Sequence, residues 1–404
     1  MSFNPTDYFV SETLGFVLEN PLTTLPDYFE AWNRLATDMA QLVAANTMRQ
    51  QVEQMALLDW TKLEGHRQKR LAHFQLTVIA SGYVWQNGDK GASKTLPACV
   101  AVPLYRLSED LGLPPVICHP GLALANYAPI DPTKPLILEN LRALYHLPGG
   151  EEAEWFCIAT TMVELTFARC IKSVMAALRA VENDDVKTVT SNITHITEVV
   201  RDMQTAVSRL HDKLTSDTFF NTLRPFLGGW GGENNPLPDG LIYLGVADQP
   251  IHAIGGSAAQ SPTMQVLDAL AGVQHAQDKR AFLLSMRGYM PPAHRRFIEA
   301  VENQKKTLHS LLESSKDEEL HKTHNALLSA MVDFRSYHIQ IVTKYIVQAS
   351  SKVKQSDEKR FESLDQKGTG GTSILPFLKE LRQDTKDQMA GANASGDSII
   401  NSTS

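Results

Sequence analysis

The sequence predicts a mainly helical protein, and three observations lead to that prediction. Apolar and polar residues alternate at helical spacing over 27–45 and 67–85. Over 185–212 apolar residues recur at alternating steps of four and three, which indicates one long amphipathic helix packed in a bundle. The clearest strand pattern is only the short run LIYLGV at 241–246. The fold class that follows is all-α.

The middle of the chain predicts a buried helix and an irregular loop. Residues 152–180 are apolar on nearly every side, which is typical of a helix surrounded by protein, and their interior charges are Glu164, Arg169 and Lys172. Residues 228–262 contain eight glycines and four prolines. Long irregular loops in compact domains are usually functional or disordered. Because this loop also carries Trp, Leu and Ile, the sequence favours an ordered, functional loop.

Helical patterns return after the loop, at 263–287, 291–316, 320–350 and 374–386. A chain of 404 residues is long enough for two domains. The Pro-rich stretch at 129–135 and the Pro-Gly-Gly at 148–150 place the boundary near residue 148. The expected organisation is a small N-terminal domain over 1–148, a larger domain over 149–387 and a frayed tail over 388–404.

The composition is that of an ordinary globular protein, with 43% apolar and 21% charged residues. The net charge of −7 gives no reason to expect a nucleic acid or an anionic membrane as partner. The first residues show no basic stretch followed by an apolar run, so a cytoplasmic protein is expected. The expected oligomeric state is a monomer. The four cysteines form no CxxC pair and are expected to be buried free thiols.

The usual catalytic signatures are absent from the sequence. It contains no GxxxxGK[ST], no GxGxxG after a strand, no HExxH and no GxSxG. The run GTGGT at 368–372 has the glycines of a phosphate cradle. It follows a charged connector instead of a strand, so a flexible linker is the favoured interpretation.

His338 is a candidate metal ligand. It belongs to an apolar stripe at alternating steps of four and three, formed by Leu327, Met331, Phe334, His338, Ile341 and Tyr345. A histidine in an apolar wall can bind haem iron through a neutral ring nitrogen. The alternative, favoured by periodicity alone, is a core histidine satisfied by a hydrogen bond.

The segment SDTFFNTLRPFLGGW suggests a binding surface for an aromatic carboxylate. Phe219, Phe220 and Arg224 lie on one predicted helical segment, and Phe220 and Arg224 share a face. Aromatic rings beside a guanidinium suit a ligand that has both a ring and a carboxylate. The competing interpretation is a surface arginine at the end of a core helix.

Several separated motifs closely resemble the indoleamine 2,3-dioxygenase family. The resemblance runs in order over roughly residues 10–387. The motifs that carry it are LPDYFEAW (25–32), AVPLYRLSEDLGLPP (101–115), FLGGW (226–230), GGSAAQS (255–261), RGYMPPAHR (287–295), RSYHIQIVTKY (335–345) and KGTGGT (367–372).

This resemblance implies an all-helical fold with a small N-terminal domain and a larger haem-binding domain. It implies one haem b per chain and the insertion of both atoms of O2 across the C2–C3 bond of the indole ring of L-tryptophan or a related indoleamine, giving N-formylkynurenine. Ferrous haem supplies the oxygen chemistry in such proteins, so no acid–base pair or nucleophile is needed.

The resemblance also implies roles for individual residues. His338 would be the proximal iron ligand, and Asp268 and Arg335 would help to hold the haem. Arg224 would pair with the substrate carboxylate, and Phe156 and Phe219 would pack on the indole. The other residues it places in the pocket are Gly256, Ser257 and Ala258 in the distal wall, Thr160 beside bound O2, and Thr369 in a loop that closes over the substrate.

Two positions, His119 and Thr160, depart from the best-known vertebrate pattern, which has Tyr and Ser there. They match the second, lower-activity vertebrate form of the family, which implies weak substrate affinity. His119 is expected either to donate a hydrogen bond to bound O2 or to pack at the domain junction.

Two other functions are compatible with the sequence. Some gastropod myoglobins resemble this family and have lost the enzyme activity, so an oxygen-binding protein is the main alternative. The presence of Arg224 and Phe219 favours the enzyme, because oxygen storage needs no carboxylate clamp. A signalling role through phosphorylation of Tyr243 in LIYLGV is a third possibility, and it requires that the loop be exposed.

Overall fold

The computed structural model describes residues 4–233, 235–353 and 374–389. In the N-terminal third the α-helices are α1 Glu30–Thr37, α2 Met39–Ala44, α3 Met48–Glu53, α4 Gly65–Trp85, α5 Ala98–Leu111 and α6 His119–Leu122. Short 3₁₀ turns lie at Pro5–Tyr8, Asp27–Phe29, Trp60–Lys62 and Leu138–Asn140. α4 is buried from Arg70 to Trp85 and packs against α1, α2, α3 and α5, so it is the central helix of this part.

The remainder of the chain is also helical. Its α-helices are α7 Gly150–Ala168, α8 Ile171–Glu182, α9 Val186–Ser208, α10 Arg224–Leu227, α11 Pro262–Ala271, α12 Gln277–Arg287, α13 Pro292–Glu302, α14 Leu308–Ser314, α15 Glu318–Val342, α16 Gln348–Val353 and α17 Ile374–Asp387. Two π-helical segments, Thr218–Leu223 and Thr343–Val347, and two 3₁₀ turns, Arg209–Asp212 and Ala258–Gln260, complete it. No helix in the described ranges combines the length and apolar character needed to cross a bilayer.

Strands make only two small ladders in the described part of the chain. β1 Thr95–Leu96 pairs in parallel with β4 Ile242–Tyr243, and β2 Ala128–Pro129 pairs antiparallel with β3 Leu141–Arg142. The all-α prediction is therefore confirmed, and so is a short strand within 241–246.

The long amphipathic helix α9 organises the larger part of the fold. It packs against α7, α8 and α15. Its N-terminus is capped by Asp185, whose side chain accepts a hydrogen bond from the Thr188 amide at 3.1 Å. The residues that it buries include five at the predicted steps of four and three, together with Thr197 and Val199; the five are Val189, Ile193, Ile196, Val200 and Met203. The predicted helix ends four residues early, because 209–212 form a 3₁₀ turn.

Several stretches predicted as single helices are broken, and this part of the prediction is wrong. The helix expected over 152–180 ends at Ala168 and restarts at Ile171 as α8. The one over 263–287 stops at Gly272, which has a φ of +75° and forms a left-handed C-cap. The one over 291–316 is interrupted before Thr307, whose side chain caps α14. A left-handed glycine makes the second break and a capping side chain the third.

The two expected domains share one hydrophobic core. Buried residues of the N-terminal third, such as Trp32 and Phe74, belong to the same contiguous cluster as Val189 of α9 and Leu327 of α15. The β1–β4 ladder also joins residues on either side of position 148. The boundary near residue 148 stays a prediction.

The glycine-rich loop is ordered by a close approach of two backbone segments. Trp230 and Ala253 exchange backbone hydrogen bonds, both of 2.9 Å. A Cβ atom on Gly255 would lie 2.1 Å from the carbonyl oxygen of Leu227. A Cβ on Gly229 would lie equally close to the carbonyl oxygen of Ala253. Only glycine fits at these two positions, so the loop is held against the end of α10.

This close approach predicts that Gly255→Ala destabilises the fold. The added methyl group forces the two backbone segments apart, and overpacking of this kind costs roughly 2 kcal/mol or more. Chemical denaturation of the variant should show the corresponding fall in the free energy of unfolding. Gly256→Ala is the matched control, because its Cβ would meet the Leu227 carbonyl oxygen only at 3.9 Å. Equal stabilities of the two variants would contradict the packing argument.

Candidate functional site

A largely apolar cavity of about 330 Å³ lies in the larger part of the fold. Side chains of α7, α9, α15 and α17 and the loop at 256–259 form its walls. It brings together every described residue that the sequence placed in the site: Phe156, Thr160, Phe219, Arg224, Gly256, Ser257, Ala258, Asp268, Arg335 and His338. Thr369 lies outside the described residues.

His338 faces this cavity from α15. Phe334, Ile341 and Tyr345 of the predicted stripe line the cavity with it. No hydrogen bond to the imidazole is found among the described residues, which does not match the alternative of a core histidine satisfied in that way. Burial, with a smaller contribution from the Arg335 charge, lowers the pKa of His338 to about 4. The ring is therefore neutral at physiological pH and can offer a lone pair.

An ion pair lies beside His338 at the cavity wall. Arg335, one turn before His338 on α15, donates from Nη2 to both carboxylate oxygens of Asp268, at 2.9 and 2.8 Å. Burial by itself would raise the pKa of Asp268, but the Arg335 charge and the hydrogen bond from His275 outweigh it, so the pKa lies below its ordinary value. Both charges are nearly inaccessible to solvent and remain ionised.

Aromatic rings and one arginine form another wall. The rings of Phe156 on α7 and Phe219 in the π-helical segment have centroids 5.4 Å apart. The Arg224 side chain is 1% exposed, and its guanidinium lies 5.2 Å from the centre of the Phe220 ring. The interpretation of Arg224 as a surface arginine is therefore wrong. The π-helical register lets Phe219 and Arg224 both reach the cavity, although they are five residues apart.

The hydroxyl of Thr160 lies on the cavity wall but is already engaged. Its Oγ1 donates to the carbonyl oxygen of Phe156 at 2.8 Å, one turn earlier on α7. The loop of Gly256, Ser257 and Ala258 is fixed by a cap in which the Ser257 hydroxyl accepts from the Ala259 amide at 3.3 Å. These residues contribute more backbone and methyl surface than free hydrogen-bonding groups.

Glu164 is the site residue whose role the sequence did not predict. This buried carboxylate accepts hydrogen bonds from His119 Nε2 at 2.9 Å, Ser261 Oγ at 2.5 Å and Thr263 Oγ1 at 2.6 Å. Burial alone would raise the pKa of Glu164, but the hydrogen bond and charge of His119, followed by the two hydroxyls, lower it. Glu164 thus ties α6, α7 and the start of α11 together.

His119 combines features of both roles expected for it. Its ring lines the cavity, and its Nε2 is held by Glu164. Its backbone amide donates to Oε1 of Gln260 at 3.0 Å, which joins α6 to the glycine-rich loop. The residue therefore packs at the junction of the two halves and also borders the cavity.

α17 supplies a cavity wall that the sequence analysis did not assign to the site. Its apolar residues Ile374, Phe377, Leu378 and Leu381 line the cavity. The sequence analysis predicted this helix, whose apolar side chains at 377 and 381 lie one turn apart. That pattern does not indicate which elements the helix packs against.

Other sequence-based expectations are corrected by the structure. Tyr243 is completely buried and its hydroxyl donates to the Pro115 carbonyl oxygen at 2.6 Å, so it is not available for phosphorylation in this conformation. Of the three charges expected inside the helix over 152–180, Arg169 and Lys172 are exposed and Glu164 is buried.

The four cysteines are free, as expected, and three of them are buried, whereas Cys99 is half-buried. The GTGGT run at 368–372 lies outside the described residues. Within the ranges that are described, no three His, Cys, Asp or Glu side chains are grouped so that they could hold a metal ion between them.

Comparison with known proteins identifies relatives over nearly the whole chain. The profile of the family described as indoleamine 2,3-dioxygenase matches residues 4–388. A protein named myoglobin from Haliotis madaka is 44% identical over 94% of this chain and 97% of its own. Indoleamine 2,3-dioxygenase 2 of Homo sapiens is 35% identical over 95% of this chain and 94% of its own. Indoleamine 2,3-dioxygenase 1 of Rattus norvegicus is 36% identical, over 94% of each chain.

The Glu164 cluster predicts a pH-dependent contribution to stability. Glu164→Gln replaces one acceptor oxygen by a donor and leaves at least one of three buried donors unpaired, which costs about 1–3 kcal/mol at neutral pH. Because the pKa of Glu164 is lower in the folded state, the wild-type advantage is complete above its ordinary value near ~4.3. It is lost as the pH falls through the lower folded-state pKa.

Chemical denaturation of both proteins between neutral and acid pH measures this difference. Glu151→Gln, at an exposed position in the first turn of the same helix, is the control. A stability difference for Glu164→Gln that is absent at neutral pH, or that grows toward acid pH, would show that the carboxylate does not hold the cluster.

Proposed function

The chain belongs to the indoleamine 2,3-dioxygenase family, and on this premise we propose that it is a haem-dependent dioxygenase. It inserts O2 across the C2–C3 bond of the indole ring of L-tryptophan and yields N-formylkynurenine, or it acts on a related indoleamine and yields the corresponding ring-opened product. The observation that carries this proposal is the presence in one apolar cavity of a buried arginine, Arg224, and of His338, a neutral histidine to which none of the described residues forms a hydrogen bond.

The residues of the cavity fit a haem. An iron porphyrin needs an axial nitrogen ligand, apolar surfaces for the faces of the ring and polar partners for its propionates. His338 would hold the iron, while Gly256, Asp268 and Arg335 would contact the cofactor. One haem b per chain would supply the oxygen chemistry. The chain itself orients the reactants and excludes water.

The substrate contacts follow from the chemistry of the remaining wall. Phe156 and Phe219 would pack against the indole, and Arg224 would pair with the carboxylate of the amino acid. Thr160, Ser257 and Ala258 would bound the space around the ring, and Thr369 would belong to a loop that closes it. Such contacts act by placing the reacting carbons close to bound oxygen.

Weak substrate affinity is part of the proposal. His119 and Thr160 are the two positions that differ from the best-known vertebrate pattern. The Thr160 hydroxyl already donates a hydrogen bond to its own helix, and His119 Nε2 is hydrogen-bonded to Glu164. Neither group is free to donate a strong hydrogen bond to the substrate, so the orientation of the substrate depends mainly on Arg224 and on the shape of the cavity. We expect a KM at or above the upper end of the ~1 μM–1 mM band that is typical of enzymes.

An oxygen-binding protein is the second candidate. The observation in its favour is the similarity to the Haliotis proteins named myoglobin, which extends over 94% of this chain. The observation against it is Arg224. A guanidinium on the cavity wall suits a ligand that carries a carboxylate, and oxygen storage needs no such group.

His338→Ala is expected to abolish haem binding, because it removes the axial nitrogen. The purified variant should lack the Soret absorbance and contain little haem per chain. His321→Ala is the control, because this histidine lies on the same helix and outside the cavity. If the His338 variant keeps normal haem content and an unchanged axial-ligand spectrum, the assignment of the iron ligand is wrong.

The proposed reaction is tested by incubating the ferrous protein with L-tryptophan and O2 and analysing for N-formylkynurenine. Arg224→Ala should lower kcat/KM by roughly 10- to 150-fold, since a charge-assisted pair contributes ~1.5–3 kcal/mol. Its haem content should remain normal, as should the activity of an exposed control, Arg169→Ala. Oxygen uptake that is indifferent to excess L-tryptophan, with no product formed, would instead identify an oxygen-binding protein.

A further inference from the structure

A series of basic and acidic side chains, each in contact with the next, connects the cavity wall to the helix α17. Its members come from α15, α11, the connector after α11, α17 and α12. In spatial order the charge chain consists of Arg335, Asp268, His275, Asp384, Lys279 and Glu380. Basic and acidic side chains alternate along it, so each acidic member lies beside a basic one.

The first half of the charge chain lies at the cavity. Asp268 accepts two hydrogen bonds from Arg335, and its Oδ2 lies 3.2 Å from Nε2 of His275. The side chains of these three residues are each exposed by 10% or less. Two of them, Asp268 and Arg335, line the cavity, and His275 lies directly behind them.

The second half holds α17. Nδ1 of His275 lies 3.0 Å from Oδ2 of Asp384, and Lys279 Nζ lies 3.2 Å from Oε2 of Glu380 and 3.8 Å from Asp384. Burial lowers the pKa of Lys279, but the hydrogen bond to Glu380 and the two carboxylate charges outweigh this and raise it. α17 is thus attached through two acidic residues one turn apart.

His275 is the centre of the charge chain. Both of its ring nitrogens face carboxylate oxygens, and an ionised carboxylate can only accept hydrogen bonds. Asp268 and Asp384 are therefore both satisfied when both ring nitrogens donate. Removing one member of a buried ionic group leaves its neighbours uncompensated, which is much more disruptive than losing an exposed pair.

Arg335 also contacts α17 directly. Its Nη1 donates to Thr385 Oγ1 at 2.9 Å, and Thr385 is completely buried. On the cavity side, α17 presents Phe377, Leu378 and Leu381. The position of the Arg335 guanidinium and the position of this cavity wall are therefore fixed by the same set of contacts.

We propose that His275 and Asp384 are positioning residues that hold Arg335 and α17 against the cavity and so retain the cofactor. The proposal rests on the proposed function, because the cofactor is the haem. It assigns a role to residues that do not reach the cavity: His275 and Asp384 act through Asp268 and Arg335. Loss of the charge chain loosens both the polar contact at the cofactor and the wall that encloses it.

The test measures haem release from the full-length holoprotein to an excess of a haem-scavenging apoglobin. Asp384→Asn should accelerate release by about 10-fold or more, because it removes the negative charge that lies between His275 and Lys279. Asp384→Glu, which keeps the charge, should restore much of the wild-type rate. Asp202→Asn is the matched control, because Asp202 forms an exposed ion pair with Arg169 and should release haem at the wild-type rate.

Two further measurements separate positioning from general stability. Thr385→Val keeps the shape of a buried side chain and removes only the hydroxyl that Arg335 contacts, so it should accelerate release with little change in the unfolding midpoint. In a double-mutant cycle, the effects of His275→Gln and Asp384→Asn on the rate of haem release should be strongly non-additive, because either substitution interrupts the same charge chain. Hydrogen exchange should show faster opening of α17 in Asp384→Asn than in Asp202→Asn.

The outcomes distinguish this proposal from the function on which it rests. If the wild-type protein binds no haem, both are overturned. If it binds haem with a normal Soret band but Asp384→Asn releases it no faster than Asp202→Asn, the positioning role is wrong and the proposed function is unaffected. Release that is fast in Asp384→Asn and equally fast in Asp384→Glu would also overturn the role, because the charge would then be irrelevant.

Discussion

The packing of α15 between α9 and α17 is the constraint on which the cavity depends. α15 contacts both helices, and around His338 the apolar side chains of the three helices border the cavity. A ligand that binds this cavity only in the folded state stabilises that state, so binding here and the stability of the larger part of the fold are linked. The His338 ring, neutral and without a hydrogen bond among the described residues, provides the directional contact that an apolar filling would otherwise lack.

The charged groups around this cavity are arranged so that the interior stays apolar. Glu164 accepts hydrogen bonds from His119 and two hydroxyls, and Asp268 is paired with Arg335 and contacts His275. Both carboxylates are drawn toward partners in the wall, which keeps their pKa values low and their charges compensated. The two clusters also join segments that are distant in sequence. These pairs therefore hold the wall segments together, and they keep the two carboxylates bound to partners in the wall instead of to a ligand in the cavity.

The sequence predicted which residues share the cavity better than it predicted the boundaries of the helices. The stripe that contains His338 was predictable because helical periodicity continues through α15, whereas the role of His338 came from the resemblance to the family. The breaks at Gly272 and before Thr307 were missed because a left-handed glycine or a capping side chain can end a helix at a single position. The role of Glu164 was missed for a different reason: its partners lie 45, 97 and 99 residues away, so no local pattern records them. The docking of α17 likewise depends on tertiary contacts, although the helix itself was predicted.

Overall similarity does not decide between an enzyme and an oxygen-binding protein for this chain, so the argument rests on the residues of the cavity wall. Both kinds of relative match this chain over almost its whole length, so overall similarity does not separate them. An iron ligand and an apolar cavity serve either function. A guanidinium on the cavity wall is different, because it can pair with a carboxylate and O2 carries none. Arg224 lies in the same cavity as Phe156 and Phe219, whose tilted rings form a surface suited to a planar aromatic group. An aromatic surface and a cation in one enclosed space suit an aromatic amino acid and have no purpose in holding O2, and this combination is why the enzyme is the better supported of the two functions.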